Sequence, residues 1–233
     1  MAAPTIKLYT NPSSPWSQRV HIALGELQLP YEAEIVDLTQ PRTPEYLLVN
    51  PKGQVPALSY NGDIITESAE IATFLADAFP STLLPAPADS AREATQQRIT
   101  SFVQTYFQKV ASAFMKVQQA KSDEDRTAAL ANYVDAAATE LDPLLADAAP
   151  FFAGSSRLTL AEILLGPFLL RAYLLPKVGL LPESLLADLA AKAPVFDKWA
   201  KQAITHPSLT GSWDEEMVAA HMKSKAKKAQ AAK

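Results

Sequence analysis

The chain changes its sequence pattern near residue 80, and this change limits the possible folds more than any other feature. Before residue 80, short runs of strand-forming residues alternate with segments whose apolar residues recur at helical spacing. After it, the spacing is helical throughout. The stretch between reads PSTLLPAPA and holds three prolines. Because proline cannot continue a helix and stiffens a connection, we place a domain linker at residues 81–88.

The first 80 residues predict a small α/β domain. Strands are expected at residues 6–10, 31–36, 55–60 and 63–65, with helices at 15–27 and 67–79 and a short helix or turn at 44–50. Asn61-Gly62 supplies the positive φ that a tight hairpin needs. A hairpin is antiparallel, whereas strands joined across a helix are parallel. We therefore predict a mixed four-stranded sheet with helices packed on it.

Residues 89–215 predict an all-α domain. Helices are expected at 89–119, at 124–147 with a break near Pro143, and at 160–175, 182–192 and 194–205. The segment 160–175 is apolar on most sides, which is typical of a buried central helix. The tail, residues 216–233, has five lysines and no acid from Met222 onward. We expect this tail to be disordered.

Composition and residue spacing exclude several classes of function. The chain has no cysteine, which excludes disulfides, thiolate metal sites and a cysteine nucleophile. Its closest glycines, Gly53 and Gly62, lie nine positions apart, so no phosphate-binding loop is present. The three histidines are far apart and form no zinc motif, so no metal is expected. The net charge of −4 and the lack of a basic stripe argue against nucleic-acid binding.

The chain also lacks the signals of a membrane or secreted protein. Its first residues have neither the basic start nor the apolar stretch of a signal peptide. The longest strongly apolar run, residues 163–170, is far shorter than the ~20 residues that a membrane span needs. We therefore expect a cytoplasmic protein.

Three motifs occur in a fixed order within the first domain. Residues 14–20 read SPWSQRV, residues 50–56 read NPKGQVP, and residues 67–68 read ES. Together they resemble the ordered motifs of glutathione transferases, closest to the omega-like and tau-like classes. The omega class has cysteine where Ser14 stands here. The resemblance implies a thioredoxin-like N-terminal domain, an all-helical C-terminal domain, glutathione bound between them, and a homodimer.

Ser14 is the candidate catalytic residue. It lies where a strand ends and a helix begins, so it can cap the helix, and the helix start favours an anion. The resemblance implies that its hydroxyl donates to the glutathione sulfur. Lowering a thiol pKa of ~8.5 by ~2 units needs about 2.7 kcal/mol. One charged hydrogen bond contributes ~1.5–3 kcal/mol and the helix start ~0.3–1 kcal/mol, which suffices. Ser13, Ser17 and Tyr9 are rival hydroxyls, and Ser13 is the strongest of them.

The resemblance of the other two motifs implies a site for the glutathione peptide. Val55 and Pro56, with the cis bond that the resemblance implies, would expose backbone groups to the peptide. Glu67 and Ser68 would bind the γ-glutamyl end, while Lys52 and Gln54 would border the glycine end. Three of these residues also have a simpler interpretation: Pro56 as an ordinary proline at the start of a strand, Glu67 as dipole compensation, and Ser68 as a helix cap.

Aromatic residues are the candidates for an apolar acceptor site: Trp16, Tyr106, Phe107, Tyr173 and Trp213. Such sites are mainly apolar with few polar groups. Core packing or dimer contact is the alternative for each residue. Thr159 and Glu162 are spaced as a capping box, which we interpret as a folding element. His21 is interpreted as a surface or packing residue.

The resemblance thus implies a transferase that conjugates glutathione, its co-substrate, to small hydrophobic electrophiles. Since the chain has no cysteine, thiol transfer through a mixed disulfide should be absent. One alternative is a carrier of hydrophobic or aromatic metabolites with little catalysis. Another is a protein-interaction module, for which the lysine-rich tail is the one supporting feature.

Overall fold

The computed structural model describes residues 4–120 and 122–231. The first domain contains β1 (Ile6–Thr10), α1 (Pro15–Glu26), β2 (Glu32–Ile35), α2 (Pro44–Val49), β3 (Ala57–Tyr60), β4 (Asp63–Thr66) and α3 (Ser68–Ala78). The strand order is β2-β1-β3-β4. Strand β1 is parallel to β2 and antiparallel to β3, and β4 is antiparallel to β3. The predicted mixed sheet is confirmed.

Buried residues alternate with partly exposed ones along β1, a central strand of the sheet. In β1, Ile6, Leu8 and Thr10 are buried while the residues between them are partly exposed, as the two-residue period of a strand requires. Leu58 of β3 stands opposite Leu8 and is also fully buried. Helix α1 lies between α3 and a central helix of the second domain. The N-terminus of α1 is thereby fixed against both domains.

The second domain is all-helical. Its α-helices are α4 (Arg92–Thr105), α5 (Ala111–Gln119), α6 (Asp123–Ala136), α7 (Leu160–Leu174), α8 (Ser184–Lys192), α9 (Pro194–Ile204), α10 (Pro207–Thr210) and α11 (Glu215–Ala231). Helix α7 packs against α1, α4 and α9. It is buried along nearly its whole length, so the expectation of a buried central helix is confirmed.

Two predicted helices are interrupted by π-helical turns. The segment expected at 89–119 contains such a turn at Tyr106–Val110, and the segment expected at 124–147 contains one at Ala137–Leu141. A 3₁₀ turn at Asp142–Leu145 follows the second, where Pro143 removes a backbone donor. The two π turns contact each other. A π turn inserts a single residue into a helix and leaves the apolar spacing almost unchanged, which explains why the sequence predicted continuous helices.

The capping box at the start of α7 is present and is extended by further bonds. The Thr159 N–H and hydroxyl donate to one oxygen of the Glu162 carboxylate at 2.8 and 2.7 Å. The Phe152 N–H and the Trp199 indole donate to the other oxygen at 2.8 and 2.5 Å. Burial raises the pKa of Glu162, and these hydrogen bonds oppose the rise. The box therefore ties the start of α7 to α9 and to the preceding loop.

The tail, predicted to be disordered over 216–233, is instead helical from Glu215 to Ala231, and this part of the prediction is wrong. Asp214 accepts from the Met217 N–H at 2.9 Å, and Val218 is buried. Acids in the first turn and the helix-forming alanines and lysines that follow favour this helix. Residues 232 and 233 lie outside the described residues. Across the described ranges, no helix combines the length and apolarity needed to cross a membrane.

Candidate active site

A cleft of about 580 Å³ lies between the start of α1, the loop before β3 and the start of α3. Seven of the residues singled out from the sequence line it: Ser14, Trp16, Gln54, Val55, Pro56, Glu67 and Ser68. These residues come from three separate motifs spread over 55 positions. The fold therefore brings the three motifs to one surface.

Ser14 caps helix α1 and keeps its hydroxyl proton free. The Ser17 N–H donates to Ser14 Oγ at 3.2 Å, and Pro15 occupies the first helical position. Within residues 4–120 and 122–231, no acceptor takes the proton of the Ser14 hydroxyl. Ser14 is buried except for 8% of its surface, at the wall of the cleft. Its oxygen is thus fixed as an acceptor while its proton can be donated to a ligand.

The rival hydroxyls are engaged in other ways. Ser13 Oγ donates its proton to Asn11 Oδ1 at 2.6 Å. Ser17 is fully buried, and its Oγ accepts from the Asn11 N–H at 3.4 Å. The ring of Tyr9 packs against Tyr46 with a centroid separation of 5.7 Å. Of these four hydroxyl residues, only Ser14 lines the cleft.

The loop before β3 is held by hydrogen bonds to α2. The Tyr46 hydroxyl and the Asn50 side-chain amide both donate to the Gln54 carbonyl, at 2.5 and 2.8 Å. The Val55–Pro56 bond is cis, as the resemblance implied. Strand β3 begins at Ala57 rather than at Val55 as predicted, because Pro56 has no N–H for the ladder. Val55 therefore stands beside the cleft outside the sheet pairing.

The start of α3 presents a strained glutamate and a buried serine. Glu67 has φ +66°, a conformation that non-glycine residues rarely adopt. Such strain costs ~1–3 kcal/mol and clusters at functional sites. The carboxylate of Glu67 pairs with Lys52 Nζ at 2.6 Å. Lys52 is exposed and is not among the residues that line the cleft, so its role at the glycine end stays a prediction.

Arg19 lies beside Ser68 and was not singled out from the sequence. Its Nη1 donates to Ser68 Oγ at 3.1 Å, and its Nε donates to the Leu164 carbonyl at 2.7 Å. No carboxylate of the described residues pairs with it, and its Nη2 has no hydrogen-bond partner there. Burial lowers the pKa of Arg19 to about 9. Arg42 also lines the cleft and donates to the Gly53 carbonyl at 2.9 Å.

Three aromatic rings form one wall near Arg19. Trp16 lies 5.3 Å from Phe107 and 5.1 Å from Phe168, measured between ring centroids. The Arg19 guanidinium carbon stands 4.7 Å from the centre of the Trp16 ring. Trp16 remains 42% exposed, so a ligand in the cleft can reach it. Phe168 was missed because α7 is apolar on all sides, and its pattern does not distinguish wall residues from core residues.

The other aromatic candidates lie elsewhere. Tyr106 is fully buried beneath Phe107, and Tyr173 is buried with its hydroxyl donating to Asp197 at 3.1 Å. Neither side chain can contact a ligand in the cleft, so the prediction that Tyr106 and Tyr173 belong to the acceptor site is corrected. Trp213 lines a different groove of about 980 Å³ that includes Gln18 and His21. Of the five predicted acceptor residues, Trp16 alone lines the cleft, and Phe107 packs against its ring.

Comparisons with known proteins show which sequences and folds this chain resembles. The family model of the glutathione S-transferase N-terminal domain matches residues 13–78. A zeta-class glutathione S-transferase of Euphorbia esula is 30% identical over 168 residues, covering 70% of this chain and 74% of the relative. A rice glutathione transferase solved with glutathione has a TM-score of 0.80 at 24% identity, covering 98% of this chain and 99% of the rice chain. Glutathione transferase Omega 2C of Trametes versicolor has a TM-score of 0.76 at 28% identity, covering 95% of this chain and 98% of the Trametes chain.

The chain belongs to the glutathione S-transferase family. The fold is that of the family, with a thioredoxin-like N-terminal domain and an all-helical C-terminal domain. The protein is a glutathione transferase.

Proposed function

We propose that this protein conjugates the thiolate of glutathione to small hydrophobic electrophiles, and that Ser14 stabilises the thiolate. The observation that carries the proposal is the free hydroxyl proton of Ser14 at the wall of the cleft. A hydroxyl whose oxygen already accepts a bond from Ser17 can turn its proton toward an anion. The neighbouring start of α1 adds a favourable dipole.

The required magnitude is within reach of these groups. A hydrogen bond to a charged acceptor contributes ~1.5–3 kcal/mol, and a helix start contributes ~0.3–1 kcal/mol. Their sum corresponds to a fall in the thiol pKa of roughly 1–3 units below ~8.5. With a fall of about two units the thiolate would be the main form at pH 7, and no histidine base is needed for its formation.

The rest of the cleft suits the groups of a γ-glutamyl tripeptide. Glu67 offers a carboxylate to an ammonium, and Ser68 with the N–H groups at the start of α3 offers donors to a carboxylate. Val55 offers backbone groups outside the sheet, so the peptide can pair as an added strand. Arg42 takes the place expected of Lys52 at the glycine end, since it lines the cleft and Lys52 does not. Gln54 borders the same end, and its side chain is exposed.

The acceptor would bind against the wall formed by Trp16, Phe107 and Phe168. In the reaction, a carbon–sulfur bond forms between the thiolate and the electrophile. The displaced leaving group departs with the electron pair, or a proton from water completes an addition. The wall excludes water from one side and holds a flat apolar molecule by ring contacts, each of which contributes ~0.5–1.5 kcal/mol. The homodimer implied by the resemblance stays a prediction.

Kinetics of matched serine variants test the proposal. Ser14→Ala is expected to lower kcat for conjugation of a chloronitrobenzene by roughly ten- to a hundredfold, the loss of one charged hydrogen bond. Ser13→Ala is the control, because its hydroxyl is engaged with Asn11. Equal kcat values for wild type and Ser14→Ala would contradict the role of Ser14. Aromatic ligand binding without turnover in the wild-type protein would instead support the carrier.

A further inference from the structure

Arg171 of α7 is a second buried guanidinium, close to the turn of residues 11–14 that carries Ser14, and no acid of the described residues pairs with it. It is only 6% exposed, and burial lowers its pKa to about 10. No carboxylate of the described residues pairs with it or contributes to that shift. A buried charge without an acid is costly unless fixed dipoles or a bound anion compensate it. With no acid beside it in the part of the chain that the structure describes, fixed dipoles must compensate this charge.

The hydrogen bonds of Arg171 go to neutral groups, and one of these groups is the backbone of the turn that carries Ser14. Its Nη2 donates to the Ser13 carbonyl at 3.2 Å. Its Nη1 donates to the Pro167 carbonyl at 2.8 Å and to Gln18 Oε1 at 2.6 Å. The Trp213 ring lies 5.5 Å from the guanidinium carbon. These contacts hold the guanidinium in one orientation.

The peptide between Ser13 and Ser14 is thus fixed at both ends. Arg171 holds the Ser13 carbonyl, and the Ser14 N–H donates to the Asn11 carbonyl at 3.0 Å. The Ser14 side chain is held in turn by the Ser17 N–H. Of these three restraints, only the one from Arg171 comes from the helical domain. A cation bonded to the carbonyl also polarises this peptide and adds positive potential near the hydroxyl.

Gln18 extends the connection to the segment before α11. Its side-chain amide donates to the carbonyl and to the hydroxyl oxygen of Ser212, at 3.1 and 3.2 Å. Gln18 is buried on α1, one turn beyond Ser14, and its own N–H donates to the Ser14 carbonyl. The turn that carries Ser14 is therefore joined to both α7 and the C-terminal segment through polar groups.

From this network we propose that Arg171 is a positioning residue for thiol activation. It fixes the Ser13–Ser14 peptide so that the Ser14 hydroxyl faces the thiolate, and it makes activation depend on contact between the two domains. This inference rests on the proposed function of Ser14. Arg171 itself does not line the cleft and acts through the Ser13–Ser14 peptide.

The test is the pH dependence of kcat/KM for the electrophile at saturating glutathione, which reports the pKa of the bound thiol. Arg171→Met is expected to raise that pKa by about one unit, with roughly tenfold lower activity below it. Arg171→Lys, which keeps a cation, should recover most of the shift. Arg126→Met, a substitution of an exposed arginine on α6, is the matched control and should leave the profile unchanged.

The outcomes separate the inference from the function on which it rests. A lower melting temperature for Arg171→Met with an unchanged thiol pKa would mean a structural role alone and would overturn the inference. If Arg171→Met does not fold, Gln18→Leu removes the acceptor that orients the guanidinium. An unchanged thiol pKa in that variant would then overturn the inference. An unshifted thiol pKa in the wild-type protein would overturn the proposed function first.

Discussion

Glu162→Gln is the substitution whose effect on stability follows most directly from the structure. The carboxylate accepts four bonds, two at each oxygen. Glutamine keeps the shape but has only one accepting oxygen, so its side-chain NH2 group must face two of the four donors. The less costly orientation points this NH2 group at Thr159, because the Thr159 hydroxyl can rotate and accept a hydrogen bond from it. The Thr159 N–H is then left without an acceptor inside the core.

One buried donor without a partner costs ~1–3 kcal/mol, and loss of the buried charge offsets part of that cost. We therefore expect the free energy of unfolding to fall by an amount in the lower half of this range. The assay is urea unfolding followed by circular dichroism at pH 7, with two-state behaviour checked by a second probe. Glu183→Gln, an exposed change at the start of α8, is the control and should stay within ~0.5 kcal/mol of wild type. A Glu162→Gln protein as stable as that control would refute the reasoning.

Three further predictions concern the cleft and its surroundings. Trp16→Ala should raise KM for an aromatic electrophile about two- to tenfold and leave KM for glutathione unchanged, as measured by steady-state kinetics. Arg42→Met should raise KM for glutathione roughly tenfold, whereas Lys52→Met should change it little because Lys52 does not line the cleft; equal effects would contradict the assignment. Burial lowers the pKa of His21, so the unfolded state binds its proton more readily, and stability should fall as pH drops below ~6.5. Urea unfolding of His21→Gln should show a smaller fall over the same pH range, and an identical fall would count against His21 as its source.

The sheet could be predicted because local signals agreed with one another. The strand at residues 6–10, the helix that follows Pro15 and the Asn61-Gly62 hairpin each carry a distinct periodicity or turn residue. The π turn at Tyr106–Val110 has no comparable signal, since one inserted residue leaves the apolar pattern almost intact. The tail was predicted to be disordered because a lysine-rich terminus is usually solvated and frayed. Alanine and lysine are also good helix formers, and with the Asp214 cap they form a helix here.

The site was predicted in part for a related reason. Ser14, Val55 and Glu67 belong to ordered motifs, and the structure places all three at one cleft. Arg19 and Arg171 were missed because a lone arginine within a helix usually indicates a solvated side chain, and burial is a property of the whole fold. Tyr173 was misassigned because an aromatic residue at helical spacing fits a core and a ligand wall equally well.

The central claim, that Ser14 stabilises the thiolate of bound glutathione, is tested most directly by titrating that thiolate. Its ultraviolet absorbance is followed against pH for the binary complex with wild type, Ser14→Ala and Ser13→Ala. We expect a thiol pKa well below ~8.5 in wild type and Ser13→Ala, and a rise of about one to two units in Ser14→Ala. A pKa near ~8.5 in wild type, or the same lowered pKa in wild type and Ser14→Ala, would contradict the account.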